Sequence, residues 1–190
     1  KEDPAVFWEE ADQNERANGA VYREYEVALP KELSTDQKRE LVDAFIERFI
    51  GDKTYQFAIH QPMAAIGKVA QAHLHAMVSD RLPDGIERPP HQYFKRFNRA
   101  QPEKGGARKD SGGKDRVVLR NEVISQRETW AQLQNELLEK YGHPARVDHR
   151  SHRERGIEAL PERHLGPAKV RQMTEEEKEE LQKKREGKAV

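Results

Sequence analysis

Three short stretches of the chain alternate residue types with a period of two, and each leaves one side apolar. That period belongs to a strand with one face buried. In residues 20–29, Val21, Tyr25, Val27 and Leu29 share a side with Arg23, while Tyr22, Glu24, Glu26 and Ala28 take the other. Residues 54–60 set Tyr55, Phe57 and Ile59 against Gln56, Ala58 and His60. In residues 71–78, Leu74, Ala76 and Val78 oppose His73 and His75. Segments with helical periodicity lie between and after these runs. A sheet packed on such helices through its apolar side presents Glu24, Glu26, His60, His73 and His75 together on its open side.

The residues gathered there are chemical ones. His73 and His75 flank a single apolar residue, so on a strand both imidazoles point one way. If the run ending at His60 pairs with theirs as a hairpin, three imidazoles converge on one point. Three protein ligands leave coordination positions open, which suits reaction better than structural bracing. A His-x-His pair on a strand also reads as a polar face alone. Likewise Glu24 and Glu26 can serve as acid, base or metal partner, or can simply be solvated.

The helical segments are marked by their ends. Asp3-Pro4 caps a helix reaching about residue 16, with Val6, Phe7, Trp8 and Ala11 on its apolar side. Ser34 or Thr35 caps the next, whose stripe is Leu41, Val42, Phe45, Ile46 and Phe49, and Gly51 ends it. Residues 117–141 form a long amphipathic helix with Val118, Val123, Trp130, Leu133, Leu137 and Leu138 among its apolar positions. Residues 145–149 are a short strand candidate. From residue 174 the chain is a charged helix with almost no apolar face.

The 190 residues carry no net charge, which taken globally argues against a nucleic-acid binder. The distribution argues otherwise. From Arg88 to Arg120, ten basic residues meet three acids, and phosphate senses a local patch. Within it, His91-Gln92-Tyr93-Phe94-Lys95-Arg96-Phe97 interleaves aromatic and basic residues, suiting backbone contact and base stacking or forming the core stripe of a short helix. Residues 101–113 are rich in Gly, Lys and Arg and read as a mobile basic loop, ordering on nucleic acid or merely solvated. Arg88, Lys95, Arg96, Lys104, Arg108 and Lys109 are the candidate DNA contacts. There is no cysteine, which excludes disulfides and thiolate metal sites. No run is apolar enough to span a membrane, and no signal peptide opens the chain.

These stretches resemble, in order and rough spacing, the MobA/MobL family of plasmid mobilisation relaxases, within the HUH endonucleases. The matching residues are Glu15-Arg16-Ala17-Asn18-Gly19, Glu24 to Pro30, Ala58-Ile59-His60, His73-Leu74-His75, Asp84 to Pro89, Phe94-Lys95-Arg96, Pro102 to Ala107, Asp148-His149-Arg150, and Gly156-Ile157 through His164-Leu165-Gly166-Pro167. The resemblance implies an α+β, two-layer fold: a central antiparallel sheet with helices on one face and the metal and DNA site on the other. Residues 1–170 would form the relaxase domain, and 171–190 a charged helical tail or linker. His60, His73 and His75 would hold one divalent ion, Mg²⁺ or Mn²⁺. The substrate would be single-stranded DNA at an origin of transfer, nicked and religated through a 5′-phosphotyrosine, with Glu24 or Glu26 as base. Accessory mobilisation proteins and a type IV secretion coupling protein would be partners, in the bacterial cytoplasm.

Two departures accompany the resemblance. The family's nucleophilic tyrosine falls upstream of Lys1, and Tyr22, Tyr25, Tyr55, Tyr93 and Tyr141 do not match it. The His60–His73 interval is long for the family, with Gln71-Ala72 where Asn-Pro is usual. A longer hairpin loop accounts for the interval without moving the ligands. A DNA-binding piece without chemistry, or a rolling-circle replication initiator, are the alternatives.

Overall fold

The computed structural model describes residues 3–159, 162–163 and 165–186. The opening Lys1-Glu2, His164 of the last matching stretch, and the final residues to Val190 lie outside these. The strands are β1 (Tyr22–Ala28), β2 (Tyr55–His60) and β3 (His73–Ser79), in the order β1-β3-β2, with both pairings antiparallel. The helices are α1 (Pro4–Asn14), α2 (Thr35–Phe45), α3 (Pro90–Tyr93), α4 (Arg116–Lys140), α5 (Gly166–Gln172) and α6 (Glu175–Glu186). The architecture is α+β with an antiparallel sheet, as the family resemblance implies.

One sheet face is sealed by α2 and the second half of α4. Leu74, Ala76 and Val78 meet Leu41, Val42, Phe45, Leu137 and Leu138 in one buried cluster. Phe45 is its hub, 4.6 Å from the ring of Phe49, 5.3 Å from Trp130 and 5.5 Å from Tyr25. Ser34 is the cap of α2, accepting from the Gln37 N–H while the Gln37 side chain accepts from the Ser34 N–H, so both helix-end donors are satisfied. Beyond Phe45 the helix widens into a π turn, Ile46–Ile50. The wider turn shifts the helical stripe, and Ile50 at its end is buried in the same cluster.

The structure departs from the sequence reading in several places. Tyr55 and Ile59 face the helix side but stay more than a third exposed, because β2 is an edge strand that α2 and α4 cover incompletely. Val118 and Val123 are also exposed, with Val117 and Ile124. A helix of 25 residues is about 37 Å long, whereas strands of six or seven residues span only about 20 Å, so the first turns of α4 outrun the sheet. Residues 145–149 form no strand. Instead the Asn135 amide both donates to the Val147 carbonyl and accepts from its N–H, at 2.8 and 2.7 Å, doing for one residue what a neighbouring strand would do.

Helix α1 does not join the helical layer. Trp8 donates to Gln56 at 3.1 Å and stacks edge-on against Tyr22. Both partners lie on the open face, so α1 crosses that face at the end remote from the histidines. Residues 101–113, expected to be a mobile loop, are folded. Ala107 is fully buried, and its N–H donates to the Tyr93 carbonyl. Arg81 and Lys109 form a bridge that continues β3. A Cβ on Gly106 would lie 2.1 Å from the Lys95 carbonyl oxygen, so this close approach admits glycine alone.

Candidate metal centre

The β2–β3 register places His60 opposite His73 and Ala58 opposite His75. Paired residues in an antiparallel ladder share a face, so all three imidazoles stand on the open side. One ring nitrogen from each lies within 4.8 Å of the others. The ring centroids are 5.6, 4.8 and 4.9 Å apart. His73 and His75 are half-buried and His60 is exposed, leaving the cluster open to solvent on one side. The twelve residues between His60 and His73 do not disturb this. They extend the hairpin through a Met63–Ala70 bridge to a tip where Gly67 and Lys68 both take positive φ, the conformation of a tight hairpin turn.

Two of the three rings are held from behind. His75 Nδ1–H donates to Glu24 Oε1 at 2.7 Å, and His73 Nδ1–H donates to the Gln71 carbonyl at 3.1 Å. Each bond assigns the tautomer and leaves Nε2 as the free lone pair. This is how protein scaffolds orient metal-binding histidines. Three imidazoles, two of them with Nε2 fixed in this way, can hold a metal ion. Glu26 is the direct cross-strand neighbour of His75, but its exposed carboxylate has no hydrogen-bond or ion-pair partner among the described residues. The structure therefore separates the two carboxylates that the sequence left equivalent.

The model of the MobA/MobL family matches residues 1–176. The chain belongs to the MobA/MobL family. It is 48% identical over 156 residues to the 43 kDa relaxation protein of Salmonella typhimurium, which covers 82% of this chain and 42% of that protein. It is 45% identical over 168 residues to mobilization protein A of Escherichia coli, covering 87% and 22%. With mobilization protein MobL of Acidithiobacillus ferridurans it shares 32% over 186 residues, covering 87% and 47%. The chain thus spans less than half the length of each of these relatives. A solved structure described under the molecular basis of vancomycin resistance transfer in Staphylococcus aureus shares the fold, with a TM-score of 0.54 at 24% identity over 77% of this chain and 66% of that one.

In this MobA/MobL chain the described tyrosines stand away from the histidines. Tyr22 is on the open face but pairs with Ser79, at the opposite end of β3 from His73. Tyr25 is on the helix side, its hydroxyl 3.4 Å from the Gln126 amide that donates to it. Tyr55 also faces that side. Tyr93 packs on Phe7 and Phe94, and burial pushes its hydroxyl pKa up. Tyr141 donates to Glu40.

The candidate DNA contacts divide into two groups. Lys95, Arg96, Lys104 and Arg108 are exposed, and all but Lys104 line one groove. Arg88 is not available to a ligand: its side chain is fully buried and donates to Asp84 and to the carbonyls of Ile86, Pro102 and Gly105. Lys109 donates to the Ala20 carbonyl and pairs with Glu15 at 3.0 Å. Phe94 is buried and Tyr93 and Phe97 are half-buried, so the aromatic run mainly serves the core and leaves only part of Phe97 facing the groove. What the sequence reading missed is Arg81. A charged residue two places after a buried strand is the only signal it gives.

Proposed function

We propose that this chain is the DNA-nicking module of a plasmid mobilisation relaxase. It would cut and rejoin single-stranded origin-of-transfer DNA by transesterification through a tyrosine and a 5′-phosphotyrosine. The observation that carries this reading is the imidazole triad on the open sheet face, with Nδ1 of His73 and of His75 tied back. The relatives' names, relaxation protein and mobilization protein, support the biological setting. His60, His73 and His75 would hold one divalent ion, which on a non-bridging phosphate oxygen offsets the charge that develops during displacement. Nitrogen donors favour Mn²⁺ over Mg²⁺. Glu24 would orient His75. Glu26, whose carboxylate is uncommitted, is the better candidate base for the attacking hydroxyl. Coupling proteins of a secretion channel, accessory mobilisation proteins and a cytoplasmic site of action belong to the same proposal. So does the division into a relaxase domain over residues 1–170 and a charged tail from 171. No helix among the described residues is long and apolar enough to cross a membrane.

The test is direct. His60→Ala, His73→Ala and His75→Ala are assayed for Mn²⁺ uptake and for nicking of a supercoiled origin plasmid, using the protein encoded in full. Each variant should lose both. Unchanged nicking in any of them sinks the proposal. The placement of the five tyrosines favours a second reading, DNA binding without chemistry. A covalent DNA–protein adduct trapped on the full-length protein would eliminate it.

A further inference from the structure

A groove of about 700 Å³ opens at the Ser79 end of the sheet and has no part in the metal centre. Lys95, Arg96, Arg99 and Arg108 line it. All four are exposed, and none has an acidic partner among the described residues. The two cations beneath them differ: Arg81 and Lys109 share Glu15, at 2.7 and 3.0 Å. Four unneutralised like charges in one concavity focus a positive potential that an anion relieves.

The walls are built in advance. The Arg81 guanidinium donates to the carbonyls of Phe94, Lys95 and Ala107 at 2.5, 2.8 and 2.6 Å, so one buried side chain fixes both strands of backbone that carry the cations. Its Nε–H is buried and unpaired. Gly105 and Gly106 press against residues 95–98 from the other side. Backbone already fixed loses little freedom when a ligand arrives. Aromatic surface is scarce, since Phe97 is half-buried and Phe94 is enclosed. The groove therefore offers contacts to phosphate and few to bases.

We infer that this groove grips the phosphodiester backbone of DNA flanking the metal face, without regard to sequence. The inference rests on the reading of the histidine face as the place where DNA is cut. From His73 to Ser79 the strand advances about 20 Å, so the grip lies about six nucleotide steps from the histidines in duplex geometry. Glu15 and Arg81 act as positioning residues, because they hold the cationic walls without facing the ligand.

The experiment replaces Lys95, Arg96, Arg99 and Arg108 together by Gln, all at exposed sites. Binding of labelled oligonucleotides of two unrelated sequences, single-stranded and duplex, is followed by fluorescence anisotropy across a salt titration. The slope of log K against log salt should flatten by about 3 for single strands and by between 3 and 4 for duplex. The loss should be equal for both sequences, and Mn²⁺ affinity should stay unchanged. His73→Ala should do the reverse, losing Mn²⁺ while keeping the slope. An unchanged slope in the four-site variant overturns the inference, and so does a loss confined to one sequence. If the slope flattens as expected but the full-length protein fails to nick, the groove stands and the cleavage reading falls.

Discussion

At the scale of single residues, the difference between Glu24 and Glu26 is the most informative. They lie two apart on one face of β1, and nothing in their spacing distinguishes them. The side-chain hydrogen bonding does: Glu26 is the direct cross-strand neighbour of His75, yet it is the Glu24 carboxylate, diagonal to it, that reaches His75 Nδ1. Removing a carboxylate that orients a metal-binding imidazole costs about 10- to 100-fold in affinity. Glu24→Ala should therefore weaken Mn²⁺ binding by about that factor in a calorimetric titration, and Glu26→Ala should leave it unaltered. Equal effects of the two substitutions would refute the assignment. Donor chemistry makes a second prediction at the same scale. Three imidazoles should bind Ni²⁺ more tightly than Co²⁺, Co²⁺ more tightly than Mn²⁺, and Mg²⁺ most weakly. Competition titrations on the intact chain check the order, and Mg²⁺ binding as tightly as Ni²⁺ would show that oxygen ligands dominate the site.

At the scale of elements, the pattern of what was legible follows from where each constraint comes from. The strands and their faces were readable because a period-two pattern reports burial on one side, and three matched faces brought the triad together before any coordinates did. The Ser34 cap and the Phe45 stripe were readable for similar local reasons. The segment from 94 to 109 was not. Its order depends on Arg81 reaching three carbonyls of residues distant in sequence and on Gly106 meeting Lys95, contacts that leave no periodic trace. Glycine and lysine in one stretch look like a solvated loop unless the partner is known. The same reason hid the role of Arg88, whose charge suggested phosphate while its position made it a clasp for Pro102 and Gly105. Gly106→Ala tests the folded segment. The new Cβ meets backbone, which cannot swing aside, and overpacking of that kind costs about 1–3 kcal/mol. Urea denaturation should show this loss, together with weaker DNA binding and normal Mn²⁺ binding. A variant as stable as the parent would mean that residues 105–107 do not pack as described.

At the scale of the whole molecule, buried and bridging carboxylates tie the elements to one another, and this predicts how the fold responds to acid. Glu15, at the end of α1, is almost wholly buried with Arg81 after β3 and Lys109 in the basic segment. Burial alone pushes its pKa up, but hydrogen bonds from Arg81 and Lys109, with the charge of Arg81, outweigh it and hold the carboxyl below its usual value. Asp110 is brought down from 3.8 to about 2, chiefly by the Lys53 hydrogen bond, with Lys114 adding to it and partial burial opposing. Both groups titrate lower in the folded chain than in the unfolded one, so unfolding takes up protons in acid. Their contribution is complete above the unfolded values and is lost as the pH falls below them, for Asp110 down through about 2. Asp110 is more than a third exposed, so solvent screening limits its share to below about 1 kcal/mol. Glu15 matters more, since deleting one partner of a buried ion pair costs about 3–5 kcal/mol. The melting temperature of the parent should drop steeply between pH 4.5 and pH 2. Glu15→Gln should begin from a lower value at neutral pH and fall less across that window, because the proton it would take up has no site. Parallel curves for the two proteins would show that the Glu15 cluster does not govern acid stability, and that α1 is held across the open face by Phe7 and Trp8 alone.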